Sequence, residues 1–248
     1  MRLLIINPNI SDSVTALIEA EARATAPADV QLTMLTAPTG VAYIETRFEA
    51  LLGAYATAQL AAEHIKGHDA LIVAAFGDPG LNALREVMPV PVLGMTESAL
   101  ASACLLGQRF SIIAISQRIQ AWYRQVVESH GLIGRLASIR ALDQPLANIA
   151  SVQADHEAGL KALIDRAVDQ DGADVIIVAG APLAGLARKL RGTLPVPVVD
   201  GVSSAVRHAM TLVELQAGRA SRGSFAPPPL KPHQGLPEAI ARLLERKI

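Results

Sequence analysis

The stretch Asp69-Ala-Leu-Ile-Val-Ala-Ala-Phe-Gly-Asp-Pro-Gly-Leu81 recurs later in the chain as Asp174-Val-Ile-Ile-Val-Ala-Gly-Ala-Pro-Leu-Ala-Gly-Leu186. Each copy is an apolar run followed by a glycine-containing turn, which predicts a buried strand that leads into a helix. The first copy is followed by Pro89-Val-Pro-Val and the second by Pro195-Val-Pro-Val, so the order of features is kept. The chain is therefore predicted to be a two-fold duplication.

Apolar runs of strand length alternate with longer helical stretches along the chain. The predicted strands are residues 3–6, 30–35, 70–74, 90–93, 110–115, 137–141, 175–178 and 196–199. Most of the stretches between them have apolar residues at helical spacing. Alternation of this kind predicts an α/β fold in which parallel sheets are flanked by helices.

The duplication predicts two pseudo-symmetric lobes with a cleft between them. Residues 1–105 would form lobe A, and 106–217 would form lobe B. In an alternative division, residues 200–217 complete the second half of lobe A. Ligands of open parallel sheets bind beyond the carboxyl ends of the strands, so facing lobes should share one site. Residues 218–248 would be a proline-rich arm with a short terminal helix, docked on its own lobe or on a neighbouring subunit.

Composition excludes several function classes. The 248 residues are 51% hydrophobic with a formal net charge of -1, so the net charge provides no general attraction to nucleic acid or to a membrane surface. The single cysteine, Cys104, excludes an internal disulfide, and the first apolar run is too short for a signal peptide or membrane span. His64 and His68 lack a third ligand in register, so no metal site is expected. We expect a cytoplasmic protein whose partners are small molecules.

The turns that follow the predicted strands hold the candidate ligand-binding groups. Side-chain amides, hydroxyls and backbone N–H groups in such turns can hold a carboxylate or a carbonyl oxygen. The structural alternative for Asn7-Pro-Asn9 is a turn that only caps a helix. The predicted substrate-binding residues are Asn7, Asn9, Tyr43, Ala75, Phe76, Gly77, Ser116, Gly180, Ala181 and Pro182.

Three carboxylates are candidates for acid–base catalysis: Asp78, Glu45 and Glu97. Asp78 follows a strand and is either an acid or base in contact with the ligand or a helix N-cap. Glu45 either assists catalysis or has a structural role as a cap or as a partner of Arg47. Glu97 either assists catalysis or is a carboxylate in the first turn of a helix, where the positive end of the helix dipole stabilises it.

Several motifs resemble the hydantoin/allantoin racemase branch of the aspartate/glutamate racemase superfamily. They are Asn7-Pro-Asn9, Tyr43-Ile-Glu-Thr-Arg47, Phe76-Gly-Asp-Pro-Gly-Leu81, Pro89-Val-Pro-Val-Leu-Gly94, Leu183-Ala-Gly-Leu-Ala187 and Val199-Asp-Gly-Val202, within roughly residues 1–215. The resemblance implies two α/β lobes, a cofactor-independent isomerase site between them, and a homo-oligomer.

The resemblance also implies a pair of cysteines, one from each lobe, that exchange protons on opposite faces of a carbon acid. The matching positions here are Ala75 and Gly180, so the two-thiol mechanism is not available. Three hypotheses stay open. The chain is a cofactor-independent enzyme acting on a small hydantoin, ureido or carboxylate compound, a carboxylate-assisted hydrolase or lyase of a cyclic amide, or a non-catalytic binding protein.

Overall fold

A computed structural model describes residues 1–143 and 148–247 and shows two four-stranded parallel sheets. Sheet A has the strand order β2-β1-β3-β4 and sheet B the order β6-β5-β7-β8, so both have the same topology. The eight predicted strands are confirmed, with bounds that differ from the prediction by at most two residues. The strands are β1 (Arg2–Asn7), β2 (Gln31–Thr36), β3 (Ala70–Val73), β4 (Val92–Gly94), β5 (Phe110–Ala114), β6 (Leu136–Ala141), β7 (Val175–Val178) and β8 (Val198–Asp200).

Helices cover both faces of each sheet, which explains why the central strands are continuous apolar runs. The helices are α1 (Asp12–Thr25), α2 (Arg47–His64), α3 (Leu81–Val87), α4 (Met95–Leu106), α5 (Gln120–Ser129), α6 (Val152–Asp155), α7 (Glu157–Asp169), α8 (Leu186–Leu190), α9 (Gly201–Leu215) and α10 (Glu238–Leu244). Short 3-10 turns span Gln117–Ile119, Ile133–Arg135 and Ala181–Leu183.

The duplication extends to the geometry of single residues. Gly80 begins α3 with a φ of 79°, and Gly185 begins α8 with a φ of 80°. Both angles lie in the left-handed region that glycine adopts at little cost. The turns thus end in the same backbone conformation, and each follows the third strand of its lobe. Their earlier residues differ, since Gly77 and Asp78 have positive φ in lobe A whereas a 3-10 turn spans Ala181–Leu183 in lobe B.

The helices α4 and α9 pack on each other, and each covers the sheet of the opposite lobe. Ala99 and Ala103 of α4 are buried in the same apolar cluster as Phe110 of sheet B. Val202 and Val206 of α9 are buried with strand residues of sheet A. The lobes thus share their central helices, and α9, which follows the last strand of sheet B, packs on sheet A.

The C-terminal arm ends in α10, which packs on α2 of the same chain. Ala239 and Leu243 are buried in a cluster with Leu60 of α2. Arg246 donates through Nη2 to the carbonyl oxygen of Pro228 at 2.8 Å, which fixes the preceding segment against the helix. Within residues 1–143 and 148–247, no helix has the length and apolar character needed to cross a membrane.

Candidate functional site

A cleft between the lobes lies where the strands of both sheets end. Its cavity measures about 30 Å³, which is room for roughly two water molecules. A ligand the size of a five-membered ring therefore requires the lobes to move apart. The lining residues are Asn9, Tyr43, Ile44, Ala75, Phe76, Ile115, Ile119, Tyr123, Gly180, Ala181 and Pro182.

The loop after β1 presents Asn9 to this cleft. Asn7 is fully buried below it and donates through Nδ2 to Asn9 Oδ1 at 3.0 Å and to Thr15 Oγ1 at 2.9 Å. Asn9 Oδ1 also accepts from the amide of Ser11 at 2.9 Å, so its carboxamide oxygen is used within the loop. The nitrogen of Asn9 is therefore the end of this side chain that can donate to a ligand, whereas Asn7 supports the loop.

A hydrogen-bonded group of three side chains crosses from lobe A to lobe B beside the cleft. Tyr43 donates through Oη to Glu45 Oε2 at 2.5 Å, and Ser116 donates through Oγ to the same oxygen at 3.1 Å. Burial and the carboxylate of Glu45 raise the pKa of Tyr43, so its hydroxyl stays protonated. The arrangement brings three predicted residues together and holds the Glu45 carboxylate next to a cleft-lining side chain.

The equivalent turns of the two lobes supply backbone donors. The amides of Ala75, Phe76, Gly180 and Ala181 have no acceptor within residues 1–143 and 148–247. All four belong to buried, cleft-lining residues. Each lobe therefore has two consecutive N–H groups without an acceptor in the described residues, and such groups are able to bind an anionic or carbonyl oxygen.

Gly77 does not join these donors, because its N–H is already bonded to Thr96 Oγ1 at 2.5 Å. Its φ is +105°, and a Cβ built at this position would lie 2.3 Å from Cζ2 of Trp122. Glycine at position 77 therefore lets the indole of lobe B pack directly on the turn of lobe A.

Gly180 lies in the lobe B turn, where the surroundings leave room for a Cβ. A Cβ built there meets nothing nearer than Cδ of Pro182 at 3.6 Å, and Oη of Tyr123 follows at 3.9 Å. The φ of Gly180 is +103° with a ψ of 143°, a conformation that side chains rarely adopt. The backbone, rather than the available volume, disfavours a larger residue.

The structure places Asp78 outside the lining of the cleft. Its carboxylate accepts from the amides of Thr96 at 2.8 Å and Glu97 at 2.9 Å, so it binds the N-terminus of α4. A Cβ at Gly94 would lie 2.2 Å from Cγ of Asp78, so glycine there makes room for this contact. Burial raises the pKa of Asp78 to about 7. Its side chain borders a separate cavity of about 210 Å³ that His130 also lines.

Glu97 also lies outside the residues that line the cleft. It forms an ion pair with Arg85 and accepts from the amide of Gly94 at 3.3 Å. Both contacts hold the first turn of α4. None of the three candidate carboxylates is among the lining residues, but Glu45 is hydrogen-bonded to Tyr43, which is one of them.

The sequence interpretation missed four lining residues, Ile44, Ile115, Ile119 and Tyr123. The apolar spacing of Ile119, Trp122 and Tyr123 predicts a buried helix face, which is confirmed for α5 and the turn before it. The sequence feature that could have indicated a place in the cleft was the tyrosine at position 123 of this apolar pattern, since a buried tyrosine usually needs a hydrogen-bond partner for its hydroxyl. Within the part of the chain that the structure describes, no three His, Cys, Asp or Glu side chains form a group able to hold a metal ion.

Comparison with known proteins gives consistent matches over nearly the whole chain. A family model described as Asp/Glu/hydantoin racemase matches residues 3–209. A hydantoin racemase of Pseudomonas sp. (strain NS671) is 33% identical over 250 residues, covering 98% of this chain and 98% of that protein. A hydantoin racemase of Paenarthrobacter aurescens is 33% identical over 233 residues, covering 92% and 98%. The solved structure of an allantoin racemase from Klebsiella pneumoniae has a TM-score of 0.91 and 31% identity, covering 97% of this chain and 98% of that one.

These matches agree with the architecture of two parallel sheets flanked by helices. The structural match covers both lobes, and the family model ends within α9. The resemblance predicted from the motifs is thereby confirmed. The chain belongs to the Asp/Glu/hydantoin racemase family.

Proposed function

We propose that the chain is a cofactor-independent, racemase-like enzyme that acts on a small hydantoin, ureido or carboxylate compound in the cleft between its lobes. The observation that carries the proposal is the matched pair of turns, each with two buried amides that lack an acceptor in the described residues. A hydantoin presents two ring carbonyl oxygens, and a ureido acid or dicarboxylate likewise presents oxygens at both ends. Each lobe would bind one of these oxygens.

The amides would also stabilise the negative charge that develops when a proton leaves the carbon next to a carbonyl. Preorganised N–H donors at a developing oxyanion lower the barrier, and loss of one typically costs about 3–4 kcal/mol. Ala75 and Gly180 add no ionisable side chain to the turns, and the single cysteine, Cys104, lies on α4. Proton transfer would therefore depend on a group other than a thiol pair.

We infer that Glu45 is this group. Tyr43 and Ser116 orient its carboxylate beside the cleft, and one of its oxygens carries both of these hydrogen bonds. Asp78 and Glu97 would instead hold the start of α4, on which the lobe A turn packs. A single carboxylate returns a proton to the face from which it removed it, whereas inversion requires an acid on the other face.

The test follows the α-proton of (S)-5-methylhydantoin in heavy water by ¹H NMR, with chiral chromatography on the same samples. We expect solvent exchange that is faster than inversion, and we expect Glu45→Gln to abolish it. Glu63→Gln, at an exposed site on α2, is the matched control and should exchange like the wild type. Loss of the ring signals would indicate a hydrolase or lyase instead. Binding without any chemical change would indicate a binding protein.

We also propose that the chain forms a homo-oligomer. Phe48, Leu51, Leu52 and Tyr55 follow one another at helical spacing on α2 and are 41–70% exposed. A contiguous apolar stripe of this kind is typical of an interaction surface. The C-terminal arm covers the later part of α2 within the same chain, so the stripe is the better candidate for a contact between copies.

A further inference from the structure

We propose that the chain has a second small-molecule site, in a pocket formed by α4, α9 and the segment that follows α5, and that this site binds a neutral aromatic compound with one hydroxyl group, such as a phenol. None of the residues that line this pocket lines the cleft between the lobes. The proposal is therefore independent of the proposed function, and the two are tested separately.

The pocket is large enough for such a compound and is open to solvent. Its cavity measures about 440 Å³, within the range of roughly 300–1,000 Å³ that is usual for small-molecule sites. Ala101 of α4 and Thr211 of α9 are exposed lining residues, so solvent reaches the pocket from their side. A compound can thus enter here without any movement of the lobes.

Leucine side chains form much of the wall of the pocket. Leu93 and Leu100 are buried, and Leu132 and Leu212 are half-buried. Removal of apolar surface from water is the main source of affinity in a pocket of this kind, and engineered cavities lined by leucine bind benzene. The body of the ligand is therefore apolar, and an aromatic ring suits these walls.

Ser98 of α4 also lines the pocket, and its hydroxyl lacks a partner. The residue is 2% exposed, and its Oγ has no hydrogen-bond partner within residues 1–143 and 148–247. Nearly all buried polar groups of proteins are hydrogen-bonded, and exceptions call for an explanation such as a bound molecule. Because a serine hydroxyl both donates and accepts, the hydroxyl group of a bound compound would satisfy it.

The ionisable side chains of the pocket favour a neutral ligand. Its described lining residues include one carboxylate, that of Glu97, and no lysine or arginine. An anionic ligand would face this carboxylate without a cation in the lining, and Glu97 is already paired with Arg85, so it does not require a cationic one. Burial lowers the pKa of His130 and of His208, which keeps both lining imidazoles neutral at neutral pH. A neutral imidazole has one acceptor nitrogen, to which the hydroxyl group of a phenol can donate.

The single cysteine provides a test in the wild-type chain. Cys104 lines the pocket and is half-buried, so a bound compound should shield its thiol. Isothermal titration calorimetry with 4-ethylphenol gives the dissociation constant, and alkylation of Cys104 by iodoacetamide is then followed without the phenol and at a phenol concentration of about ten times that constant. We expect alkylation to slow by about tenfold, in proportion to the fraction of pockets left empty. Lack of binding, or binding that leaves the alkylation rate unchanged, would overturn the proposal.

A variant at the mouth of the pocket tests the location by a second route. Ala101→Trp places a large side chain at an exposed position, so it should keep the fold and abolish binding of 4-ethylphenol. Leu105→Trp, at an exposed site on the same helix outside the lining, is the matched control and should bind like the wild type. Unchanged affinity in Ala101→Trp would place the phenol elsewhere and overturn the proposal.

The role of Ser98 is tested by removing its hydroxyl. Ser98→Ala deletes a buried group that has no partner in the described residues, so the fold should not be weakened, whereas affinity for 4-ethylphenol should fall by about fivefold, the usual effect of losing one hydrogen bond. Ser221→Ala, at an exposed site in the C-terminal arm, should bind like the wild type. Equal affinities of Ser98→Ala and the wild type would contradict the assignment of Ser98 as the partner.

The neutrality of the ligand is tested with 4-ethylbenzoate, which has a carboxylate in place of the hydroxyl group. Its binding should be weaker than that of 4-ethylphenol by about tenfold or more, because a charge that enters the pocket loses water and gains no lining cation. Equal or tighter binding of 4-ethylbenzoate would contradict the assignment of a neutral ligand.

Discussion

Glu45 of lobe A accepts a hydrogen bond from Ser116 of lobe B at 3.1 Å, beside the cleft that the two lobes enclose. Arg47 adds a second bond between the lobes, from its Nε to Oε1 of Gln125 at 2.8 Å. Glu45 lies just before α2, and Arg47 is the first residue of that helix. Opening of the cleft for a ligand therefore requires these bonds to break, which links access to the site with the position of Glu45.

The burial of Asp78 leads to a prediction about pH. Its pKa is raised from 3.8 to about 7 in the folded protein, so between these values the folded state holds a proton that the unfolded state has lost. Stability should then fall as the pH rises from about 4 to about 7, on the order of 2–4 kcal/mol, and level off above that. Urea denaturation at several pH values should show this slope in the wild type and a flatter profile in Asp78→Asn. Asp29→Asn, at an exposed site, should keep the wild-type profile.

The close approach of Trp122 to Gly77 predicts that Gly77→Ala is strongly destabilising. The added methyl would lie 2.3 Å from the indole, and the backbone φ is +105°. Overpacking and backbone strain together should cost roughly 2–4 kcal/mol in urea denaturation. Gly131 also has a positive φ, +69°, but nothing within 4 Å of its built Cβ. Gly131→Ala should therefore lose only about 1 kcal/mol, and equal losses in the two variants would argue against the packing explanation.

An ion pair between the lobes, in which Glu21 is buried and the Arg188 side chain is 39% exposed, predicts a further difference in stability. Arg188 of α8 donates to both carboxylate oxygens of Glu21 on α1, at 3.0 and 2.7 Å, and Glu21 is 4% exposed. Arg188→Ala would leave a buried carboxylate without its charged partner and should cost about 1–3 kcal/mol, since solvent reaches the Arg188 side of the pair. The exposed pair of Arg23 and Glu19 lies on the same helix as Glu21. Arg23→Ala should cost less than about 1 kcal/mol, and a similar loss in both variants would refute the role of burial.

The apolar stripe on α2 predicts the effect of a charge on assembly. Leu51 is 65% exposed within it, so Leu51→Glu should leave the fold intact and shift the mass in light scattering toward the 26.1 kDa of one chain. Leu105→Glu, at an 83% exposed site on α4, is the control and should keep the wild-type mass. Removal of residues 218–248 tests the alternative that the arm holds neighbouring subunits together. A change of mass in that variant alone, beyond the lost segment, would favour the arm over the stripe.

The strands and the duplicated turns were predictable because their signals are local. Apolar runs such as that of β7, followed by glycine and proline, specify strand and turn from a few neighbouring residues. The contact of Asp78 with the amides of Thr96 and Glu97 was not predictable, because it depends on the packing of a helix that begins 17 residues later and on a glycine at position 94. Tyr123 was missed for a related reason. Its place in an apolar helix pattern indicates burial, but only the folded chain shows that its ring packs on Phe76 of the opposite lobe and that it lines the cleft.

The exchange of α4 and α9 between the sheets makes each half of the chain incomplete by itself. A fragment that stopped before residue 106 would expose the face of sheet A that α9 covers. Its helix α4 would also lack sheet B, on which its apolar side chains pack in the whole chain. Neither half should therefore fold when expressed separately, although the two halves mixed together have every contact they need to reassemble. The same interlocking restricts how the lobes can separate, since any hinge that admits a ligand must turn about the α4–α9 pair and leave it packed.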